Sequence, residues 1–505
     1  MPCTTLLVGK RASYDGSTII ARNEDSPSGE FTPKKLVVVH PSDQPRHYKS
    51  VISHLEIELT EKAMRYTSVP NALPGEGIWA EAGVNERNVA MSATETLTTN
   101  ERVLAADPMV ELVPAKGTPG EEGYVAEVPG GIGEEDMVTL VLPYATSARD
   151  GVRRLGALLE QYGTYEMNGI AFSDVDEIWW LETVGGHHWI ARRVPDDCYV
   201  TMPNQLGIDA FDLADAEGKQ RACMASADLR AWMEANHLDL TIREEGDDTD
   251  LFNPREAFGS ASDADHVYNT PRAWAMQRFL NPRSNVWDGP DADFRPEDND
   301  IPWCRMPERK LTIEDVKYAL SLHYQGTPYD PYGKLGTEAT RGMYRPIGIN
   351  RNGQLAVMQL RPSAGEAACA LQWMAFGSNP FNVLVPLFAN VDAMPAYLET
   401  TEKTVSTDSF YWANRLIAGL ADPYFSACIA DIERYQLKCG GAMGALIAEA
   451  TKEAAETPYG EAAPQLMAAN ERIAALLRTE TDDLLGKVLF TSSMGMKNAF
   501  ARSDG

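Results

Sequence analysis

The sequence predicts an α+β protein, a sandwich of sheets and helices that carries a helical C-terminal appendage. Three observations predict it. Short β-branched and apolar runs, bounded by turn residues, recur through residues 1–400. Helical patterns interrupt them at 147–161, 224–235 and 312–323. From about residue 401 the pattern turns helical and alanine-rich, with stretches at 407–420, 424–437, 442–456 and 463–485. Strands mixed with helices, followed by a run of helices, mark this class. The division expected is a domain over 1–400 with an extension over 401–505.

The elements follow in order. Residues 4–9 (TTLLVG) and 17–22 (STIIAR) are apolar and β-branched and flank a polar stretch ending in Asp15-Gly16, which reads as an N-terminal hairpin. VVVH (37–40) and HLEIEL (54–59) read as strands. Two short strand-like pieces surround a polar turn at 85–88. MVTLVLPYA (137–145) leads into the helical pattern at 147–161. Four strand-like runs follow, in IAFSD, EIWWLET, HHWIARRV and CYVTMPNQ. The helix at 312–323 has a start signal, Thr312 followed by Glu314 and Asp315. Strands return at RPIGINR (345–351), QLAVMQLR (354–361) and CALQWMAFG (369–377).

Composition narrows the function. The 505 residues carry a formal net charge of −28. Such a surface repels polyanions, and no basic run is present, so nucleic acid is not an expected partner. The acidity itself reads as solubility. The seven cysteines are widely spaced, without CxxC or zinc spacing, and read as free thiols in a reducing compartment. The start lacks a secretory signal pattern and no run of about 18 apolar residues occurs, so a cytoplasmic protein without membrane contact is expected. HExxH, Walker and dinucleotide motifs do not occur. The acidic stretch at 244–250 lacks EF-hand spacing and reads as a solvated loop. His187 and His188, as neighbours in a strand, point to opposite faces and do not suit one metal. No metal and no cofactor is expected. Apolar stripes on the C-terminal helices fit packing on the sandwich or a homo-oligomer.

The informative feature is Cys3. A loop over 10–16, or a tight turn at Asp15-Gly16, leaves Cys3 facing a residue between Asn23 and Ser28. Either register brings Arg22 and Asp25 close to it. An adjacent arginine favours the thiolate, the form that attacks. Were Cys3 the first residue, its own α-amine could accept the thiol proton, and Asp25 could hold that amine. On residues alone, a second reading stands beside this one: a small buried cysteine and a surface ion pair of little consequence.

The ordered set CTTLLVGKRASYDGSTIIARNEDS, AGVNERNVAMSATET, DEIWWLETVGGHHWIARRVPDDCYV with MPNQ, HYQGTPYDPYG, RPIGINR and WMAFGSNPFNVLVPLFANV resembles the cysteine dipeptidases of the N-terminal-nucleophile hydrolases, relatives of penicillin V acylase and bile-salt hydrolase. The resemblance runs from residue 3 to about 420. It implies a four-layer αββα sandwich and hydrolysis of a small peptide substrate through a thioester on Cys3. It implies roles for Arg22 and Asp25 beside the nucleophile. Asn204 is implied as the side-chain donor of an oxyanion hole, and a backbone N–H near Glu95 as the second donor. Arg272 is implied as a later active-site arginine, with Arg278 competing for that place. Since Met1 and Pro2 precede Cys3, the resemblance also implies their removal, with autocatalysis as one route. Another amide of the penicillin V or bile-acid type is the nearest alternative substrate, and a non-catalytic binding protein on this fold is the second alternative. A papain-like enzyme would need a histidine motif that none of the eight histidines has.

Overall fold

The computed structural model describes residues 3–26, 32–242 and 249–496. Its principal strands and helices, in chain order, begin with β1 (Cys3–Val8), β2 (Thr18–Asp25), β3 (Ala82–Val84), β4 (Ala90–Thr96), α1 (Glu134–Val141) and α2 (Ala148–Tyr162). There follow β5 (Asn168–Ser173), β6 (Ile178–Thr183), β7 (Trp189–Arg193), β8 (Tyr199–Met202), β9 (Cys223–Ala225), α3 (Thr270–Leu280), β10 (Cys304–Arg305) and α4 (Ile313–Ala319). The chain closes with β11 (Asn352–Leu360), β12 (Ala370–Phe376), β13 (Val385–Phe388), α5 (Phe410–Ala421), α6 (Phe425–Ala454) and α7 (Ala463–Met494).

Two antiparallel sheets dominate. One has seven strands in the order β10-β8-β1-β2-β11-β12-β13, and the other has six in the order β9-β7-β6-β5-β4-β3. The strand alternation divides neighbouring residues between separate cores. Leu7, Ile20 and Met358 of the larger sheet share one core with Ala171, Trp180 and Ile190 of the smaller. Leu6, Ile19 and Val357 turn the other way, onto Trp274 and Met276 of α3 and Val316 of α4. Phe172, Trp179 and Leu181 turn away likewise, onto Met137 and Leu140 of α1 and Leu155 and Leu159 of α2. Strands covered on both faces need consecutive apolar residues there, which is why β1, β2 and β6 carry the unbroken apolar runs at 6–8, 19–21 and 178–181.

The hairpin of β1 and β2 sits in the middle of the larger sheet and pairs Cys3 with Glu24, Thr4 with Asn23 and Thr5 with Arg22. At the far edge, α7 docks on β13. Asn470 accepts from the Phe388 N–H at 2.9 Å and donates to its carbonyl at 3.1 Å, so a side-chain amide caps an edge strand whose backbone groups would otherwise lack partners.

Three expectations are corrected. RPIGINR is not a strand: the N–H groups of Ile347 and Gly348 both donate to the Leu322 carbonyl, and a Cβ on Gly348 would lie 2.5 Å from the Ser321 carbonyl oxygen. The segment is fixed by close approach to another loop rather than by a ladder. The helix read over 224–235 begins only at Leu229, after β9. The two helices read over 424–437 and 442–456 are one, running through Gly440 and Gly441. Cys439, Met443 and Ile447 bury themselves beside Ile473, Leu477 and Leu484 of α7, and this packing outweighs the glycine pair's poor helix propensity.

Candidate functional site

Cys3 opens β1 and its side chain is fully buried. Burial pushes the thiol well above its ordinary range, and the Arg22 guanidinium opposes that rise. Arg22 projects from β2 on the same face as the sulfur. Its Nη2 donates to Cys3 Sγ at 3.1 Å and to Glu134 Oε1 at 2.7 Å, while its Nη1 donates to Glu81 Oε2 at 2.7 Å and the Ala93 carbonyl at 2.8 Å. Lys34 Nζ reaches the other oxygen of Glu81 at 2.8 Å. Burial alone would raise Glu81, but Lys34 and Arg22 outweigh it and hold the carboxyl below the usual range. The thiol therefore faces a cation anchored by two buried carboxylates.

Asn204 follows β8 and lies against the start of β1. Its Oδ1 accepts from the backbone N–H of Cys3 at 3.2 Å and from Arg272 Nη2 at 2.7 Å, and its Nδ2 donates to the Thr96 carbonyl at 2.9 Å. The amide thus joins Cys3 to the end of β4, beside Glu95. The Glu95 side chain lies beneath β1, where its Oε2 accepts from Thr5 Oγ1 at 2.8 Å. Burial raises this carboxyl to about 8, against the pull of Arg272.

Arg272, on α3, donates to the carbonyl of Cys3, to Thr4 Oγ1 at 2.7 Å and to Asn269 Oδ1 at 2.8 Å. Burial and the neighbouring Arg345 lower it to about 10. Arg278, its competitor, lies six residues further along the helix, pairs with Asp288 at 2.9 Å and stacks over Trp274. The geometry brings Arg272 to the cysteine and leaves Arg278 outside.

Asp25 is buried at the end of β2, and its carboxylate is held by Arg345 and Asn352. The Cys3 N–H donates to Asn204 rather than to Asp25. Met1 and Pro2, which concern the expected processing, lie outside the described residues. Sequence reasoning missed Glu81, Glu134, Lys34, Arg345 and Asn352. Only Glu24 had a signal, since it falls within the span expected to face Cys3.

His187 and His188 do not lie within a strand as expected: both precede β7 and wrap around Asp107, which accepts from their rings at 3.1 and 2.7 Å. Among the described residues no group of three or more His, Cys, Asp or Glu side chains is arranged to hold a metal ion, and no helix is long and apolar enough to cross a membrane.

Comparison with known proteins fits this site. Residues 2–438 match the model of Peptidase family C69. The chain is 61% identical to a dipeptidase of Bifidobacterium longum and 54% identical to probable dipeptidase A of Streptococcus pyogenes, in both cases over all of each chain. It is 43% identical to dipeptidase A of Lactobacillus helveticus over 96% of each. The matched region includes every residue gathered around Cys3, and on this evidence the chain belongs to Peptidase family C69.

Proposed function

We propose that this peptidase hydrolyses dipeptides with Cys3 as an N-terminal nucleophile. The single observation that carries the reading is the guanidinium of Arg22 at 3.1 Å from the Cys3 sulfur, with Asn204 on the same residue's backbone nitrogen. The names of the similar proteins support the substrate class.

In this mechanism the enzyme first loses Met1 and Pro2. The thiol adds to the Pro2 carbonyl, the Pro2–Cys3 amide bond breaks, and water releases the dipeptide from the thioester. The freed α-amine of Cys3 then takes the thiol proton. Arg22 stabilises the thiolate as it attacks the scissile carbonyl. Asn204 and a backbone N–H near Glu95 meet the developing oxyanion, Asn204 exchanging its bond to Thr96 for it. The protonated amine gives its proton to the leaving amine, and water hydrolyses the acyl-enzyme. Arg272 fixes Asn204 and the Cys3 carbonyl. Asp25, oriented by Arg345 and Asn352, accepts from the amine once the chain starts at Cys3. The three cores that separate helix, sheet, sheet and helix support the four-layer αββα arrangement of such hydrolases. The helices described between residues 401 and 496 act as an extension seated on its edge strand.

The test is intact mass with activity on a dipeptide panel for wild type and Cys3→Ala. The active form should start at Cys3 and alkylate there faster than at the other six cysteines. Cys3→Ala should keep residues 1 and 2, if processing is autocatalytic, and lose at least about 1,000-fold in turnover. Full activity in a chain that retains Pro2 contradicts the proposed base.

A further inference from the structure

Beside the thiol, the face shared by the two sheets carries a row of polar side chains that the chemistry above does not use. Glu24 stands directly opposite Cys3 in the hairpin, and Gln354 stands directly opposite Glu24 on β11. Directly paired residues in an antiparallel ladder present their side chains on one face, about 5 Å apart at Cα. The row continues to α5. Phe376 pairs with Gln354, and the Tyr411 ring packs against Phe376 at 5.8 Å. Asn414 lies one turn further along the same helix.

All four are buried, and none of the seven side-chain N and O atoms of Glu24, Gln354, Tyr411 and Asn414 has a hydrogen-bond partner. Buried polar atoms are nearly always satisfied, so four unsatisfied side chains in one place mark a position where something else binds. The nearby cations are committed elsewhere. Lys34 and Arg22 both bond Glu81, and Arg22 also bonds Glu134 and the sulfur. Gly353 lets the carboxylate lie against the backbone, since a Cβ there would sit 2.1 Å from Glu24 Oε2.

Resting on the proposed dipeptidase reading, we infer that Glu24, with Gln354 and Tyr411, forms the subsite that takes the free α-ammonium group of the substrate. The α-nitrogen of a dipeptide is two bonds from the scissile carbon. A group that neutralises it must therefore stand next to the thiol, as Glu24 does. An ammonium brings three donors and one positive charge. The two oxygens of Glu24 and the Oε1 of Gln354 supply three acceptors, and the Tyr411 hydroxyl a fourth. Burial lifts the empty Glu24 carboxyl well above the usual range, and an arriving ammonium would reverse that. A peptide lacking this charge would leave the carboxyl unsatisfied. The subsite thus selects substrates by their free amino terminus.

The experiment compares kcat/KM for alanyl-alanine with that for propanoyl-alanine, which lacks only the amino group. The wild type should favour the dipeptide by about 10–100-fold, the worth of a hydrogen-bonded charge. In Glu24→Gln this preference should collapse several-fold or more, chiefly through KM for the dipeptide. Tyr411→Phe should lower it to a lesser degree, and it reads the same quantity if Glu24→Gln does not fold. Equal losses on both substrates, or a preference unchanged in both variants, overturns the proposal. Failure of the underlying reading looks different: the wild type then ignores dipeptides, or Cys3→Ala still cleaves them.

Discussion

Arg22 ties the nucleophile to the buried carboxylates around it. Its guanidinium, 1% exposed, is shared by a sulfur, two carboxylates and a backbone carbonyl. Truncation to methionine would take the guanidinium away from Glu134 and leave Glu81 with Lys34 as its cation in a dry interior, and breaking a buried pair from one side typically costs about 3–5 kcal/mol. Arg22→Met should therefore lower stability by about that amount in urea denaturation, as well as lowering turnover. Cys3→Ala, which leaves Arg22 on both carboxylates, should unfold within about 1 kcal/mol of wild type. A stable Arg22→Met protein would mean the network is not balanced as described. The proximity of Arg22 to Cys3 was legible, because a hairpin fixes it in either register. Its anchors were not: Glu81 and Glu134 lie 59 and 112 positions away, and nothing local marks them. Asp25 shows the same limit. Its partners Arg345 and Asn352 are 320 and 327 positions distant, so its true engagement is a product of the tertiary fold.

At the scale of elements, legibility followed the strength of the local pattern. The strands of the central meander and the capped helix at Thr312 were read within a few residues, because short apolar runs between turns and a capping box are local facts. RPIGINR failed because its conformation is set by Leu322 and Ser321 across a loop contact. The split of α6 failed in the other direction, since tertiary packing on α7 carried a helix through two glycines. That mismatch leaves stability unclaimed. Gly440 and Gly441 face outward, and a Cβ on either meets nothing within 4 Å. Gly440→Ala and Gly441→Ala should each stabilise the protein by about 0.5–1 kcal/mol, read as a rise in thermal midpoint without loss of activity. A fall in midpoint would show that the outer face of α6 makes contacts beyond a single chain.

Across the whole molecule, the sequence showed the class, the central hairpin and the helical end. What it hid is the amount of charge carried inside. Burial raises Glu95 to about 8, and Glu182 and Asp136 to about 7. A carboxyl raised in the folded state favours the folded state while it is protonated. That contribution is complete below the unfolded value near 4 and is lost as pH rises through the folded value. Glu81 and Glu308, held low, act only on the acid side. Lys317, lowered to about 7 by burial, works in the opposite sense only above that pH. Between pH 5 and 7 the raised carboxyls therefore dominate, and unfolding free energy should fall by up to about 1.4 kcal/mol per pH unit for each of them. The net charge of −28 gives a slope of the same sign, but surface repulsion is screened by salt whereas buried groups are not. Urea denaturation at pH 5, 6 and 7 in high salt isolates the interior contribution. The slope should persist there and flatten in Glu95→Gln, which keeps the shape of the side chain and removes its titration. A stability that is level or rising over this window in high salt would mean that these carboxyls are ionised in the folded protein, and that the interior around Cys3 is better solvated than its packing implies.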